Sequence, residues 1–338
     1  MTKERLLELN NLVISNEFKK EEYAQMDFND AYSMFRLSVM HHKKFADDLK
    51  KLQADDSAEN KEEKTTQLDK ITKLFLTKAD YFYRLSIEKV KAMEAFYIAY
   101  SRCTNSPYVF CEPNNMDDVV WFFTSEERVL DVVKKQAEKN VALRAVKVEN
   151  KDFLKIFTAL FYMGIDNILF DYGTDNMVLQ LDRICRKPNF AKLENKVAAV
   201  ANVELQLSSM YFLQEARKNI ENSKKQNLPV LEEEMAKNLV NGTFLVPFLK
   251  ADPEKGNEPE NVRIPFIKGP EGAKILPLFT DISEFEKYNK DGKFSVVIVK
   301  FEKLEQFMGN ADAVDVNPLG TNLYIKKELI PTFMERFA

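Results

Sequence analysis

The amino-acid sequence predicts an α+β protein, in which an N-terminal helical hairpin is followed by two tandem mixed α/β domains joined by a long helix. The first 106 residues contain neither proline nor glycine, which favours helix because both residues interrupt regular structure. From Ser106 onward, short β-rich segments alternate with helical ones. Two β-rich blocks match each other in order, and 338 residues are more than one ordinary core holds.

The helical region is expected to cover residues 1–87. Apolar residues recur at helical spacing over residues 28–52 and again over residues 68–100, which predicts two long helices. Residues 53–65 between them are polar apart from two alanines, so they are expected to form the turn of an antiparallel hairpin. A shorter helix is predicted over residues 3–18.

The first β-rich block is expected to form a domain over residues 88–190. Its predicted strands cover residues 108–111, 119–123, 143–148, 167–170 and 177–181, and its predicted helices cover residues 126–140 and 151–163. Helical spacing of apolar residues then resumes, which predicts a connecting helix within residues 191–227. The second block, which begins with a helix near residues 231–239, is expected to form a domain over residues 228–338.

The two β-rich blocks are interpreted as copies of one unit. Five segments match in the same order along the chain: 103–110 with 239–246, 121–127 with 277–284, 145–149 with 298–302, 165–171 with 311–317, and Asn176-Met-Val-Leu with Asn322-Leu-Tyr-Ile. The first match is interpreted as a helix end that runs into a strand. Identity is low, and it is the collinear order of the segments that indicates a duplication.

Each block carries a Phe-Thr step where a strand passes into a helix. Thr124 with Glu127, and Asp281 with Glu284, have the spacing of a capping box, which satisfies free amides at a helix start. Each cap is worth about 1 kcal/mol. A catalytic threonine is the alternative interpretation, but no base lies near it in sequence.

The rare residues exclude several chemistries. His41 and His42 are adjacent, so on a helix they point about 100° apart and cannot share one metal-binding face; a solvated helix edge is the simpler interpretation. Cys103, Cys111 and Cys185 lack CxxC spacing, and the common phosphate-loop, zinc-protease and serine-hydrolase motifs are missing. The sequence therefore predicts no catalytic, cofactor-binding or metal-binding residue.

Charge and hydropathy exclude further classes of partner. The net charge of −4 argues against a nucleic-acid-binding surface. The longest strongly apolar run, residues 156–165, is half the roughly 20 residues that a membrane span requires. The N-terminus has no apolar signal segment, so we expect a cytoplasmic protein.

The second block resembles the N-terminal domain of the SseB family, which takes its name from the bacterial enhanced-serine-sensitivity protein. The resemblance covers about residues 230–335 and rests on Phe244–Leu249, the turn Gly269-Pro-Glu-Gly272, Leu276–Thr280, Val296–Val299 and Asp315–Gly320. The first block, about residues 88–187, resembles this domain only through the repeat, and it has Asp171-Tyr-Gly-Thr174 in place of Asn317-Pro-Leu-Gly320. The resemblance implies a small mixed α/β domain of a bacterial cytoplasmic protein, without catalytic residues or a cofactor to carry over.

The segment Asn317–Gly320 allows two interpretations. Proline fixes φ and glycine is conformationally permissive, so the segment is suited to a tight turn between strands. Alternatively, Asn317, Pro318 and Gly320 form a recognition loop. For the whole chain the leading hypothesis is a non-enzymatic interaction or regulatory protein that binds a protein partner or itself.

Two other functions stay open. One is a metabolite sensor that binds a small molecule between the two blocks, since ligand sites favour domain interfaces. The other is an enzyme that uses carboxylate pairs such as Asp117 and Asp118. With 30% charged residues, however, such pairs are expected by chance.

Overall fold

The computed structural model describes residues 1–15, 18, 20–55, 59–113, 115–249 and 263–337. The chain divides into two compact units, Met1–Glu94 and Ala95–Ala338. The first unit is helical and the second is mixed α/β, as the predicted α+β class requires. The first unit extends beyond the expected residue 87 because its last helix continues to Ala92.

The described residues of the first unit form four helices: α1 (Lys3–Ile14), α2 (Lys20–Tyr23), α3 (Phe28–Ala54) and α4 (Lys61–Ala92). Helices α3 and α4 are antiparallel, because Phe35 contacts Tyr83 near one end and Phe45 stacks on Phe75 nearer the other. Both helices extend into the predicted turn, whose residues 56–58 lie outside the described residues. Helix α1 ends four residues before the predicted residue 18, and residues 16 and 17 also lie outside the described part.

A buried lysine holds the end of α1 against the hairpin. Lys78 is 1% exposed, and its Nζ donates to the carbonyl oxygens of Val13 and Ser15, at 2.6 Å each. Burial lowers the pKa of Lys78. The carbonyls at a helix C-terminus have no partner within the helix, so a cation there satisfies them and also complements the helix dipole.

The first α/β region of the second unit forms a single sheet. Its strands are β1 (Ala95–Ser101), β2 (Ser106–Pro107), β3 (Val109–Cys111), β4 (Asp118–Phe123), β5 (Leu143–Glu149), β6 (Asn167–Phe170) and β7 (Met177–Gln180), and its helices are α5 (Glu126–Ala137), α6 (Phe153–Tyr162) and α7 (Leu181–Ile184). Strand β1 pairs antiparallel with β2, β4 and β5. Strand β4 also pairs antiparallel with β3 and parallel with β6. Strand β6 in turn pairs antiparallel with β7.

The prediction of helix over residues 93–100 was wrong, because these residues lead into and form most of β1. Phe96, Ile98 and Ala99 are fully buried between neighbouring strands, and aromatic and β-branched residues fit such a pleated surface. The apolar spacing there fits a helix and a buried strand equally well. The interpretation of residues 103–110 as a helix end that runs into a strand was also wrong, because residues 102–105 form a turn between β1 and β2.

The predicted connecting helix is much shorter than residues 191–227. Helix α8 covers only Val203–Ala216. The Asn195 Oδ1 accepts hydrogen bonds from the amides of Val197 and Ala198, which makes a turn instead of a helix. Asn202 donates through Nδ2 to the carbonyl oxygens of residues 243 and 280, so tertiary contacts fix the chain just before α8 begins.

The second α/β region follows α8. It contains α9 (Leu228–Val240), β8 (Thr243–Leu249), β9 (Ile267–Lys268), β10 (Lys274–Leu278), α10 (Ile282–Tyr288), β11 (Phe294–Lys300), α11 (Glu305–Met308), β12 (Ala313–Val316), β13 (Leu323–Lys326) and α12 (Ile330–Phe337). Strand β8 is antiparallel to β11, and a bridge from Leu245 to Phe279 joins it to the end of β10. Strand β10 is antiparallel to β9 across the predicted Gly269–Gly272 turn and parallel to β12, which is antiparallel to β13.

Apolar side chains cover both faces of the sheet in the first region and of the β8–β11 pair in the second. In the first region, Phe96 and Phe122 pack against Phe153 and Phe157 of α6, while Trp121 lies on the opposite face in the cluster that includes α5 residues. In the second region, one cluster joins α8, α9 and the sheet, and a smaller one surrounds Phe279. No helix in the described part of the chain combines the length and apolarity needed to cross a membrane.

Candidate functional site

The turn after β6 is anchored by a buried carboxylate. Asp171 is fully buried and has a φ of 53°, in the left-handed region. The Thr124 amide donates to its Oδ1 at 2.9 Å, and the Thr124 hydroxyl donates to its Oδ2 at 2.8 Å. The Arg128 Nη1 also donates to this Oδ2, at 2.6 Å, and to Asp175 at 2.7 Å. Burial raises the pKa of Asp171, while the Thr124 bonds and Arg128 oppose that rise.

The turn after β12 has the same construction with an amide side chain. Asn317 is 1% exposed and has a φ of 56°. The Thr280 amide donates to Asn317 Oδ1 at 3.0 Å, and Asn317 Nδ2 donates to the Thr280 hydroxyl at 2.8 Å. The amides of Gly320 and Asn322 both donate to the Asn317 carbonyl oxygen, which closes the turn.

The residue four positions after each threonine carries opposite charge in the two regions. Arg128 pairs with acids of the first turn, whereas Glu284 accepts from Lys287 at 2.5 Å. A Cβ at Gly320 would lie 2.6 Å from Glu284 Oε2, so the second turn needs glycine at this position to admit the carboxylate. Arg128 is therefore balanced by the acids of its turn, whereas Glu284 is balanced by Lys287 of its own helix.

Asp281 joins the cap of α10 to α8. Its Oδ1 accepts from the amides of Ser283 and Glu284, and its Oδ2 accepts from Thr280 Oγ1 and Gln206 Nε2. Burial, and after it the charge of Glu284, raises the pKa of Asp281 to about 6. Since all four donors come from its own chain, this carboxylate is an anchor between elements.

The expected cap at Thr124 is displaced by one residue. Ser125 is the N-cap of α5, and its hydroxyl accepts from the Arg128 amide. Thr124 donates both its amide and its hydroxyl to Asp171, so its amide is not available to Glu127 as a capping box would require. Tertiary bonding to a neighbouring strand outcompetes the local cap at this position.

The loop Asn317–Gly320 is docked within the second unit. Its Leu319 carbonyl oxygen accepts from Asn105 Nδ2 of the first α/β region at 3.1 Å. Arg217, at the end of α8, donates to the carbonyl oxygens of Cys103, Thr321 and Asn322 at 2.6, 3.0 and 2.6 Å, respectively. Asn317 and Gly320 are buried and Pro318 is partly buried, so the accessible part of the predicted recognition loop is the Leu319 side chain.

Two cavities adjoin α8. One, of about 570 Å³, lies between the segment before α8 and strands β8 and β11, and its lining includes Lys196, Glu204, Asn241 and Ile298. The other, of about 230 Å³, lies between strands β1–β3 and α8. Cys103 and Cys111 both line the second cavity as free thiols, and burial raises the pKa of each.

The sequence suggested that the two histidines lie on a solvated helix edge, and this prediction was wrong. His41 is partly buried, shares a hydrogen bond of 2.8 Å between Nε2 and Asn10 Oδ1, and stacks on Phe75. His42 Nδ1 lies 3.1 Å from the Thr72 carbonyl oxygen. Burial lowers the pKa of His41. Both residues thus join helices of the first unit, and among the described residues no three His, Cys, Asp or Glu side chains converge as a metal site requires.

The side-chain links from Thr124 to Asp171 and from Thr280 to Asn317 were not foreseen from the sequence. A partial signal was present, because Asp and Asn tolerate left-handed backbone and each follows a short apolar strand. The sequence alone could not show which distant residue each side chain contacts.

Residues 219–332 match the family model of the SseB protein N-terminal domain. The match spans α9 and every strand of the second α/β region, and it confirms the family resemblance expected for about residues 230–335. This part of the chain is therefore an SseB-type domain. Comparisons of the chain with curated proteins and with solved structures gave no match.

Proposed function

We propose that residues 88–190 and 228–338 are tandem copies of the SseB-type domain, joined by residues 191–227. The order of strand pairing supports this: a seven-residue antiparallel pair, a parallel pair beside it, and a final antiparallel pair occur in each region. In each region, the threonine that follows the first strand of the parallel pair bonds to the turn that follows the second strand. Low sequence identity is compatible with duplication because pairing order and turn chemistry constrain few side chains.

The function that we propose is that of a non-enzymatic protein-interaction or regulatory module in the bacterial cytoplasm. The observation that carries this proposal is that the buried polar side chains at the helix starts and turns of the two regions already accept hydrogen bonds from other groups of the protein. Asp171, Asp281 and Asn317 are buried, and each accepts from donors of its own chain. A reaction centre would instead direct such groups into a space open to substrate.

The fixed relation between the two regions also favours an interaction module. Arg217 bonds to both regions, and Gln214 exchanges hydrogen bonds with the backbone of Val109 at 3.1 and 3.0 Å. These direct bonds fix α8 to both regions, whereas domain closure around a ligand requires a hinge. A rigid unit suits a surface that a protein partner recognises.

The test uses the full chain as bait in a lysate of its source organism, with the oligomeric state of the bait measured in parallel. We expect one or a few proteins in near-stoichiometric amounts, or self-association. Arg217→Ala should weaken this capture by loosening the contact of α8 with both regions, while Arg84→Ala, in an exposed ion pair of α4, should not. A monomeric chain that retains nothing contradicts the proposal.

A metabolite sensor that binds a small molecule between the two blocks is the second candidate. The cavity of about 570 Å³ favours a ligand site, but it is lined by residues 196–205 and by the second region instead of by both blocks. Thermal-shift screening with amino acids and nucleotides tests it, since a ligand that binds the folded state raises the melting temperature. Ala199→Trp would fill the cavity and should abolish such a shift. A shift that survives this substitution places the ligand elsewhere, and the absence of any shift removes this candidate.

A further inference from the structure

Arg144 of β5 is a partly buried cation at the junction of the two α/β regions. Its Nη2 donates to Asn105 Oδ1 at 2.9 Å, and Asn105 Nδ2 donates to the Leu319 carbonyl oxygen of the second region at 3.1 Å. Among the described residues, no acid lies within ion-pair distance of Arg144. A guanidinium has several N–H donors, so this single bond leaves donors for a ligand. A charge that is partly buried without an acid partner favours the binding of an anion.

Tyr100 of β1 lies directly opposite Arg144, and the guanidinium carbon of Arg144 is 5.0 Å from the centroid of its ring. This stacking and the Asn105 bond together orient the planar guanidinium. Burial raises the pKa of Tyr100, while the charges of Lys287 and Arg144 oppose that rise. The phenol is therefore protonated at neutral pH. Its hydroxyl has no hydrogen-bond partner within the described part of the chain, so it can donate to a ligand.

A second cation acts on Tyr100 from the second region. The Lys287 side chain of α10 is 43% exposed, and its Nζ donates to Glu284 Oε1 at 2.5 Å. Glu284 also acts on the Tyr100 phenol, but its carboxylate is balanced by Lys287 and lies against Gly320. The groups that act on Tyr100 thus include two cations and one acid, and the charge that is not balanced is that of Arg144.

The second region has a neutral pair at the corresponding place. Tyr100 lies three residues after Tyr97, the β1 residue that also pairs with β4. The corresponding residue of β8, three positions after Leu245, is Phe248, and it lies opposite Ser295. A neutral pair therefore fits this place in the strand pair, and packing alone does not explain an arginine there.

We propose that Arg144, Tyr100 and Lys287 bind a small oxyanion, a carboxylate or a phosphate, at the junction of the two α/β regions. The fork of the guanidinium suits two oxygen atoms of one anion, the Tyr100 hydroxyl supplies a further donor, and Lys287 adds charge from the second region. Chloride has no separate oxygen atoms and should bind less well. This site is distinct from the cavity of about 570 Å³, and it does not depend on the proposed interaction function.

The first test is a titration of the full chain with sodium phosphate and, separately, with sodium acetate, each against sodium chloride at the same ionic strength. Nitrogen-15 spectra report the arginine Nε–H groups, and the Arg144 signal is assigned by its loss in Arg144→Lys. We expect this signal to shift saturably with at least one oxyanion and not with chloride. The anion that binds identifies the class of ligand, whereas the absence of a saturable shift with both oxyanions overturns the proposal.

The second test compares variants by the rise in melting temperature that each oxyanion causes relative to chloride. Arg144→Gln should weaken binding at least about tenfold, because charge-assisted hydrogen bonds are lost. Arg144→Lys keeps the charge without the fork and should bind with intermediate affinity. Arg186→Gln, at an exposed arginine after α7, removes the same charge and is the matched control. Circular dichroism verifies that each variant is folded.

The control is necessary because phosphate also stabilises proteins without binding to a site. An equal rise in Arg144→Gln and in the wild type places the anion elsewhere and overturns the proposal. A chain that binds an oxyanion through Arg144 but captures no protein contradicts the interaction function alone. A chain that captures a partner but binds no oxyanion contradicts this site alone.

Discussion

Thr280 and Asn317 exchange two hydrogen bonds across the sheet of the second region: the Thr280 amide donates to Asn317 Oδ1, and Asn317 Nδ2 donates to the Thr280 hydroxyl. The pair ties the end of the β10 segment to the turn that follows β12. It also holds Asn317 in left-handed backbone, which asparagine tolerates better than most residues.

Replacing Asn317 should separate bonding from backbone strain. Asn317→Ala removes both bonds and places alanine at a φ of 56°, so we expect a loss of about 2–4 kcal/mol in the free energy of unfolding. Asn317→Gly removes the bonds without the strain and should lose about 1 kcal/mol less. Urea unfolding measures both, with Leu319→Ala, at an exposed side chain, as the control. Equal losses for Ala and Gly contradict the strain argument.

The ion pair between Arg128 and Asp171 should show coupling. Arg128→Ala leaves Asp171 buried with only the Thr124 bonds, and we expect a loss of about 1–3 kcal/mol. Adding Asp171→Asn supplies the neutral residue that the second region uses, so the double variant should recover part of that loss. A double-mutant cycle by urea unfolding measures this coupling, and strict additivity argues against it.

The close approach of Glu284 to Gly320 predicts a steric penalty. Gly320→Ala places a Cβ 2.6 Å from the carboxylate oxygen, and we expect a loss of about 1–3 kcal/mol because Glu284 is buried and held by Lys287. In a Glu284→Ala background the same alanine should cost much less. Thermal unfolding of the wild type, the two single variants and the double variant tests this, and an undiminished cost would mean that the clash lies elsewhere.

Asp315 should make stability depend on pH. Burial raises its pKa to about 7, Arg217 opposes the rise, and its Oδ1 has no hydrogen-bond partner within the described residues. Since the folded state holds this proton more tightly than the unfolded state, the associated stability is complete below about pH 4 and is lost as pH rises through about 7.

Asp315→Asn removes this titration. Relative to wild type, its free energy of unfolding should therefore increase between pH 5 and pH 8, by on the order of 1–4 kcal/mol. Melting curves at each pH measure this change. Asp281 remains in both proteins and serves as an internal constant. If the melting temperatures of the wild type and of Asp315→Asn change in parallel across this pH range, Asp315 is already ionised in the folded wild type without penalty.

Lys78 should control the fraying of α1. Lys78→Met retains the length of the side chain but leaves the carbonyls of Val13 and Ser15 without their donor. We expect faster hydrogen exchange over residues 3–14, while the hairpin helices keep their protection. Lys73→Met, at an exposed position of α4, is the control. Unchanged exchange in α1 would assign its stability to Leu9 and Val13 packing alone.

Much of the architecture could be predicted from the sequence, because local patterns decide most elements. Residues 167–170 were predicted as a strand with the observed bounds of β6, and α5 and β4 begin within one residue of prediction. Strand β1 was missed because its apolar spacing also fits a helix, and only its pairing with β2, β4 and β5 distinguishes the two. The prediction of a long connecting helix was wrong because the tertiary hydrogen bonds of Asn202 outweigh the helical propensity of this segment.

The candidate site was less predictable than the fold. The residues Asp281 and Asn317 could be selected from the sequence, but their contacts with Gln206 and Thr280 join positions tens of residues apart. Likewise, nothing local distinguishes Thr124, which bonds to Asp171, from Ser125, which caps α5. Such choices depend on which strand arrives beside each helix start.

If the two regions are copies of one domain, as proposed, the opposite charges at Arg128 and Glu284 disfavour an exchange of β6 and β12 between them. If β12 were inserted beside β4 during folding, Arg128 would face Asn317 and lose its buried acid. In the reverse exchange, the Asp171 carboxylate would be forced against Glu284. Repeated units on one polypeptide are prone to such mispairing. The reversed charges penalise both errors and favour the native assignment of each strand to its sheet.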